Sequence, residues 1–580
     1  MNPTVDLLNP KKYRGDHLDE KSREIMLKTI EFFESMGKAR LKEKSRKNEW
    51  YDDFLEFVKE NRIFYTLNTP PEYANGDPDV RWDTWRICDF SELLAFYSLD
   101  YWYTWQVTVL GLGPIWMSRN EKIKREVAEL LRNGAVFAFG LSEREHGADI
   151  YATETKLIPQ PDGTYKAYGR KYYIGNSNVA AIISTFARIA DPDGSLPDKP
   201  EKSRFVFFAL RRDEKYYELI KNIVDAQMFV GDFMIHDYPV TEDDILERGE
   251  EAWDAALNTV NIGKFNLGWA AIGICTHAFY ESINHASKRR LYGMYVTDFP
   301  HIKRLFVDAY TRLMAMKLFA RRACDYMRVA SKEDRRYLLY SALVKSKVTR
   351  EGEIVLELLW DVIAAKGFEK DTYFELAAKR IKALPKLEGT VHVNMALALK
   401  FLPKYLFDPA EFPEVPKMDM PKHDEFLFNQ GPAGGLSEVR FHDYQKVYDC
   451  WNLPNINVFK EQIATFKEMC MAAPPSPQQM MDFDFMLPWG EMFTQLVYGH
   501  LILEAAKLYD VDDDLLDEIF DFMVRDFSKY AIDLQAKPSA TDKQIEYAAK
   551  MIRRPVPNKE RFERMVKRVY SYDDAYEMNP

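Results

Sequence analysis

The sequence is poor in cysteine: 580 residues contain five, which are odd in number and widely scattered. This pattern argues against a disulfide framework and against a thiolate metal site. None of the ten histidines has the spacing of a zinc protease or a zinc finger. We therefore predict reduced core cysteines and no metal.

Long apolar runs and an excess of positive charge are also missing. No stretch reaches the length of uninterrupted apolar residues that a bilayer-spanning helix needs, and residues 1–14 have neither an apolar core nor a cleavage-site pattern. The net charge of −11 gives no electrostatic footprint for nucleic acid or anionic lipid. These absences predict a cytoplasmic protein that binds no nucleic acid, and they argue against membrane contact.

What remains is the composition of a folded globular protein, with 47% apolar, 14% aromatic and 29% charged residues. The chain exceeds what one hydrophobic core normally serves, so two to four domains are expected. Hydrophobic periodicity divides it further. It predicts an α+β, mostly helical fold with four parts: an N-terminal helical domain (1–134), a β domain (135–245), a four-helix bundle (246–407) and a C-terminal helical extension after a proline-rich stretch (408–580).

Glu388 is the most informative single residue, because it follows a proline that interrupts a helix and precedes a residue without a side chain. Pro385 disfavours a continuing helix, and Gly389 lets a ligand approach the backbone closely. A carboxylate in an apolar cleft has a raised proton affinity, which suits a general base. The alternative is an ordinary solvated glutamate in a loop.

Five motifs, in order and at matching intervals, resemble those of the acyl-CoA dehydrogenases, whose helical, β and four-helix order is also the predicted one. The motifs span residues 139–149, 169–176, 289–293, 366–368 and 388–390. The resemblance implies a flavoprotein that binds FAD and forms a homodimer or larger. It implies further that electrons pass to an electron-transferring flavoprotein.

The same resemblance implies roles for individual residues. The cofactor-binding positions would be Phe139, Leu141, Ser142, Gly147, Ala148, Tyr173, Gly175, Arg289, Tyr292 and Thr390. Arg289 would pair with the cofactor's pyrophosphate across a subunit interface, for which its fork of donors is suited. The alternatives are that Gly147 only permits a turn, that Tyr173 only packs, and that Arg289 forms a surface salt bridge.

For the substrate, the resemblance implies an acyl-CoA whose α-proton Glu388 removes. The product would be a trans-2-enoyl-CoA. Gly389 would lie beside the thioester, while Asn261 and Lys264 would contact the CoA chain; the alternative for Lys264 is a helix-surface lysine. Gly263 stands where some relatives place their base and carries no carboxylate, so Glu388 has no rival there.

Departures from the family pattern leave other functions open. Gly175 replaces a threonine whose hydroxyl faces the reactive flavin nitrogen, Ala148 replaces a serine, and Pro300 a glutamine. Ala364 and Ala365 replace paired glycines. A flavin monooxygenase on the same scaffold, or a non-catalytic binding protein, are the alternatives. The extension could replace part of a subunit interface or touch a membrane, and its acidic helix 513–534 favours packing over lipid contact.

Overall fold

A computed structural model describes residues 4–580 and divides into two compact units. The N-terminal unit consists of residues 14–266, 420–434 and 578–580. The C-terminal unit consists of the described residues up to Tyr13 together with 267–419 and 435–577. The division into four domains, which the sequence suggests, stays a prediction beside this coarser one.

The N-terminal unit begins with six helices. They are α1 (Glu20–Arg46), α2 (Asp52–Glu60), α3 (Ile63–Asn68), α4 (Thr84–Tyr97), α5 (Leu99–Met117) and α6 (Glu121–Arg132). Side-chain caps start several of them: Asp19 accepts from the amide of Ser22, and Ser98 from that of Asp100. Aromatic side chains of α4 and α5 build much of the core of this unit, and Trp102 and Trp105 are fully buried.

Eight strands follow and form one sheet. They are β1 (Phe137–Gly140), β2 (Lys156–Pro159), β3 (Tyr165–Gly175), β4 (Ile182–Ile189), β5 (Phe205–Leu210), β6 (Tyr217–Asn222), β7 (Val230–Val240) and β8 (Ile245–Arg248). The order is β6-β7-β3-β2-β4-β5-β8, with β1 pairing in parallel to β4. Ala167, Ile183, Phe208 and Phe233 belong to the core on one face, as the predicted period-two alternation requires. A β-bulge interrupts β3 between Tyr172 and Ile174.

Long helices dominate the third part of the chain. The first is α7 (Gly249–Ala286), within which the two units divide. A short hairpin of β9 (Arg290–Leu291) and β10 (Met294–Tyr295) connects it to α8 (Pro300–Arg328). The shorter α9 (Tyr337–Leu343), a π-helical turn (Val344–Val348), α10 (Thr349–Ile363) and α11 (Tyr373–Arg380) follow. Pro300 occupies the first turn of α8, where its missing amide proton costs nothing. This part of the chain is helical as expected, with a π turn between α9 and α10, while the bounds of the four-helix bundle stay a prediction.

The remaining helices complete the C-terminal unit. They are α12 (Val391–Leu399), α13 (Leu402–Phe407), α14 (Tyr444–Asp449), α15 (Pro454–Ala472), α16 (Pro477–Met481), α17 (Phe483–Tyr509), α18 (Asp513–Gln535), α19 (Asp542–Met551) and α20 (Lys559–Tyr570). α17 and α18 both pack against α8. The sequence predicts α18, as the acidic helix 513–534, but it misses the short helices, which carry little periodic signal.

Several acidic residues of α18 pair with arginines. Asp526 accepts from the Arg312 guanidinium at 2.8 Å and Asp521 from that of Arg304 at 2.5 Å, while Asp517 pairs with Arg561. Asp517 is 3% exposed and Asp521 7%. The extension therefore packs by ion pairs as well as by apolar contact. No helix among residues 4–580 has the length and apolar character required to cross a bilayer.

Candidate functional site

The turn segment, which we define as residues 141–149, leaves the end of β1 and is held by one buried carboxylate. Glu143 is 5% exposed. It accepts from the hydroxyls of Thr153 and Thr155 at 2.5 and 2.6 Å and from the Lys171 ammonium at 2.9 Å. Burial alone would raise the pKa of Glu143, but the charge of Lys171 and these hydrogen bonds bring that pKa down to about 2. The carboxylate is therefore a structural anchor that stays ionised.

The anchoring of the turn segment orients its backbone donors. The Leu141 carbonyl accepts from Lys171 Nζ at 3.1 Å, and the Ser142 carbonyl accepts from the Tyr172 amide at 3.1 Å. In a trans peptide the N–H points opposite to the C=O, so the amides of Ser142 and Glu143 point away from β3. Together with the half-buried Ser142 hydroxyl they form a row of donors at the end of the sheet. This row fits the hydrogen-bonding edge of a planar ring.

Tyr173 forms the second part of this region. It is the bulge residue of β3, with φ of 66°, and its side chain is 58% exposed, so simple core packing does not explain it. Its ring meets that of Tyr172 edge to face at 4.8 Å. Phe139, on β1, stacks on Phe207. An exposed aromatic side chain next to a row of donors is a surface on which a flavin ring could lie.

Two glycines of the region have different environments. A Cβ at Gly147 would meet no atom within 4 Å, and Ala148 beside it is exposed. Gly147 is not among the glycines with a positive φ, so its backbone conformation does not require glycine. Gly175 is buried and closely covered by α5. The loop at Gly147 is thus open to a ligand, whereas position 175 is closed to any side chain.

Arg289 and Tyr292 lie on the β9–β10 hairpin of the C-terminal unit. Its two-residue turn places Tyr292 at φ of 51° and Gly293 at 82°, the pattern of a type I′ turn. Tyr292 is 96% exposed at the tip. Among residues 4–580 no ion pair of Arg289 is found at salt-bridge distance, so the surface salt bridge that was the alternative is not seen in the described chain.

Glu388 sits in a loop that is anchored on both sides. The carbonyl of Pro385 accepts from the Lys345 ammonium at 2.6 Å, and Lys345 is fully buried in the π turn. On the far side, the Asn394 amide donates to the carbonyls of Gly389 and Thr390 at 3.2 and 3.0 Å. Thr390 caps the start of α12 through the amide of Val393. The loop is therefore fixed within a few residues of the carboxylate.

The backbone at Glu388 is itself unusual. Glu388 has φ of 51° and Gly389 φ of 84°, so a non-glycine residue is held in the left-handed region. Such a conformation costs about 1–3 kcal/mol and persists only where the surroundings impose it. The Glu388 side chain is half-buried, so the alternative of a freely solvated glutamate does not describe it. The sequence signal of a proline and a glycine around it is what located this position.

Asn261 and Lys264 lie on the part of α7 that belongs to the N-terminal unit. Lys264 is 3% exposed, so the alternative of a helix-surface lysine is wrong. Asn261 is half-buried. One turn earlier, Asn258 donates to the carbonyl of Gly431 at 2.8 Å, which brings residues of the extension beside this stretch of α7. No local sequence pattern links residues 431–435 to α7.

Two groups of histidine and carboxylate side chains have ligand atoms within 4.8 Å of one another: His442, His500 and Glu504, and Glu143, His146 and Glu154. In the first, Arg336 donates to His442 Nδ1 at 2.9 Å, so His442 Nε2 must carry the proton that it donates to Glu504 Oε1 at 2.6 Å. A metal at that Nε2 would require removal of this proton. In the second, Glu143 is already saturated. The carboxylates Glu504 and Glu143 therefore already have partners within the protein, and the absence of a metal stays a prediction.

The cavity beside His442 has a volume of about 370 Å³. Its polar walls are occupied: Arg322 donates to Glu504 at 2.6 Å, and Arg336 donates to Asp334 at 2.7 and 2.9 Å. Neither guanidinium is left for a ligand.

Residues 251–402, which contain the Arg289 hairpin and the Glu388 loop, match the family model for the C-terminal domain of acyl-CoA dehydrogenases. A 3-(aryl)acrylate reductase of Clostridium sporogenes is 21% identical over 362 residues, 60% of this chain and 92% of the relative. The short-chain specific acyl-CoA dehydrogenase of Megasphaera elsdenii is 24% identical over 311 residues, 52% of this chain and 78% of the relative.

Among solved structures, an acyl-CoA dehydrogenase of Bacillus anthracis complexed with FAD resembles nearly the whole chain. Its TM-score is 0.70 at 16% identity, over 97% of this chain and 96% of that protein. At this identity the likeness establishes the fold alone. The extended coverage means that the C-terminal helices are part of the shared architecture, which confirms the predicted fold class.

Proposed function

We propose that the chain is a member of the acyl-CoA dehydrogenase family, an FAD-dependent enzyme that introduces a trans double bond between the α- and β-carbons of an acyl-CoA. The observation that carries this proposal is the Glu388 loop. It combines a half-buried carboxylate, a left-handed backbone and anchors on both sides. A carboxylate held in this way suits a base that must meet a weakly acidic C–H in one defined position.

In this proposal Glu388 removes the proton from the α-carbon, and its carboxylate keeps that proton when the product leaves. Its backbone amide donates to the thioester carbonyl, which makes the α-proton more acidic by stabilising the developing negative charge. Gly389 lets the thioester approach the backbone because it has no side chain. Bound FAD would supply the acceptor for the hydride that leaves the β-carbon.

The residues proposed for the cofactor fit it by their own chemistry. The outward amides of the turn segment and the Ser142 hydroxyl would hold the polar edge of the ring, and the exposed Tyr173 would lie against its plane. We propose Arg289 for the pyrophosphate of a partner copy, which implies a homodimer or larger, and an electron-transferring flavoprotein as acceptor. Lys264, buried as it is, is proposed to meet an anionic group of CoA.

The similarity to a 3-(aryl)acrylate reductase supports a second candidate, the reverse reaction at the same site. There Glu388 would deliver a proton to the α-carbon of an enoyl or arylacryl substrate. The same residues serve both directions, and the relative potentials of flavin and substrate decide between them.

The test is an anaerobic titration of the purified protein with straight-chain, branched and cyclic acyl-CoAs, following the flavin absorbance. The wild type is expected to be bleached by one class. Glu388→Gln keeps the size of the side chain but cannot accept the proton, and bleaching should slow by about 10²- to 10⁴-fold. Glu357→Gln, an exposed carboxylate on α10, is the control and should behave as the wild type.

The outcomes separate the candidates. Bleaching by a saturated acyl-CoA supports desaturation, whereas recovery of absorbance when a reduced sample meets an enoyl-CoA, without the first reaction, supports reduction. Bound flavin that no thioester changes would reject both and favour the monooxygenase. Protein purified without flavin, and unable to take it up, would leave the non-catalytic binding protein.

A further inference from the structure

Gly175 is a glycine because its neighbours leave no room for a side chain. A Cβ at this position would lie 2.6 Å from Val107 Cγ1, 2.8 Å from Tyr103 Cε1 and 3.0 Å from the Tyr103 hydroxyl oxygen. The first two distances are far inside van der Waals contact. Gly175 has no positive φ, so backbone conformation does not require glycine here. The volume that a side chain at 175 would fill is taken by the edge of the Tyr103 ring and its hydroxyl.

The helix that carries Tyr103 is fixed to the end of β3 by the next residue along the strand. Asn176 is fully buried, and its amide donates to the carbonyls of Thr104 and Phe137, both at 3.1 Å. In return the Thr104 hydroxyl donates to Asn176 Oδ1 at 2.8 Å. Tyr103 is adjacent to Thr104 in α5, so this two-way contact sets the position of the phenol relative to residue 175.

The phenol lies on the face of the sheet that α5 covers, beside the end of the strand that carries Tyr173. Ile174 points into the sheet core, so Gly175 faces the opposite side, the side toward which α5 packs. The exposed Tyr173 bulge directly precedes this pair of residues. Tyr103 itself is 6% exposed, so most of its ring is packed while a small part of its surface reaches the outside.

We propose that Tyr103 supplies, from α5, the hydroxyl group that the family resemblance places on residue 175, and that this hydroxyl bonds to the reactive edge of the flavin. The inference rests on the proposed function. A phenol both donates and accepts hydrogen bonds, so it can serve a ring nitrogen whether or not that nitrogen carries a proton. Tyr103 is thus a further cofactor-contacting residue in this chain, and the glycine at 175 is the space that it needs.

Tyr103→Phe tests this, because it removes one oxygen and keeps the ring packed against Gly175. The variant is expected to bind FAD in the same ratio as the wild type and to unfold at the same temperature. Its flavin midpoint potential should become more negative, since a donor near the ring stabilises the electron-rich reduced form. Reduction by the acyl-CoA should slow about tenfold, the effect of losing one hydrogen bond.

Tyr101→Phe is the matched control, since Tyr101 is a fully buried phenol on the same helix whose hydroxyl contacts Gln227. It should leave the potential and the flavin spectrum unchanged. If Tyr103→Phe does not fold, 3-fluorotyrosine at position 103 keeps the hydroxyl and makes it more acidic, and a shifted flavin spectrum is then expected.

The failure of this inference can be told from failure of the proposed function. A wild type that is bleached by an acyl-CoA, with Tyr103→Phe or the fluorinated protein unchanged in potential and spectrum, overturns the role of Tyr103 alone. A wild type that takes up no flavin overturns both.

Discussion

The ammonium of Lys345 donates to the carbonyl of Pro385 at 2.6 Å and so ties the π turn to the loop that carries Glu388. Lys345 is fully buried, and the two residues are separated by forty positions in the sequence. π turns inside longer helices are often found at functional sites, where they re-aim one side chain. Here the Lys345 side chain points to the carbonyl of Pro385, three residues before the proposed base Glu388.

Lys345→Met should therefore damage the site without touching Glu388. The Pro385 carbonyl would lose its buried donor, at about 1–3 kcal/mol of unfolding free energy. A loop displaced by about 1 Å can cost up to about 10²-fold in turnover, so kcat/KM for the acyl-CoA should fall by at least tenfold. Steady-state kinetics and chemical denaturation measure the two effects. Lys382→Met, which removes an exposed pair with Glu357 and a longer one with Glu353 at 3.8 Å, should change neither by much.

The buried Glu143 predicts a dependence of stability on pH. Its pKa is about 2 in the folded protein and near 4.5 when unfolded, so the stabilisation is complete above the unfolded value and is lost as the pH falls through the folded one. Glu143→Gln should cost about 3 kcal/mol at pH 7, and that cost should shrink steadily between about pH 5 and pH 2.

Urea unfolding of wild type and variant at pH 7, 4 and 3 measures this difference. Glu145→Gln alters an exposed neighbour and should stay within about 0.5 kcal/mol of the wild type. A cost for Glu143→Gln that does not vary with pH would show that the lost contacts are steric rather than ionic.

Protonation of His500 should lower the free energy of unfolding in mild acid. Burial lowers its pKa to about 4, against the opposing charge of Glu504, from 6.5 in the unfolded chain. Because the unfolded chain takes up the proton first, the free energy of unfolding should fall by about 3 kcal/mol as the pH drops from 6.5 to 4.

His500→Gln has no such proton to gain. It should be less stable than the wild type at pH 7, because the hydrogen bond with Tyr405 is altered, and the gap should narrow below pH 6.5. Denaturation at several pH values follows both proteins. His301→Gln, at an exposed position, is the control, and its stability should parallel that of the wild type throughout.

Ala364 ends α10 with φ of 55° and ψ of −137°, a conformation natural only to glycine. It is one of the two positions where the family resemblance leads to an expectation of glycine. Ala364→Gly should raise the free energy of unfolding by about 1 kcal/mol, because the relief of strain exceeds the extra chain entropy. Ala365→Gly, where φ is not positive, should instead lower it by about 0.5–1 kcal/mol. Equal effects in both variants would contradict the strain.

The features that the sequence predicts well are local ones. The order of helices and strands follows from periodicity, and the position of Glu388 follows from the proline and glycine around it. Tyr173 and Gly147 could be predicted as candidate cofactor residues because each lies in a motif of adjacent residues. Their proposed roles toward a cofactor and substrate remain predictions, as do the contacts of Arg289 and Lys264.

What the sequence does not predict depends on residues far apart along the chain. The Lys345 contact to Pro385, the Tyr103 edge against Gly175 and the arginines paired with Asp521 and Asp526 carry no periodic or motif signal. A sequence pattern places charged residues on the surface, and a buried charge is recognised only when its partner is known. That is why the α18 acidic face, which favoured packing over lipid contact, gave no hint of which arginines it meets.

The N-terminal unit is assembled from three separated stretches, and this has a consequence for synthesis. The carboxylate of Asp424 accepts from the amide of Thr84 at 2.6 Å at the start of α4, and the amide of Lys38 donates to the carbonyl of Asn579 at 2.8 Å. A ribosome adds about 5–20 residues per second, so residues 14–266 wait roughly 10–30 s for Asp424 to be made. During that interval the first turn of α4 lacks one of its acceptors. The newborn chain therefore passes through a long-lived, incomplete unit that a chaperone could bind and a protease could cut.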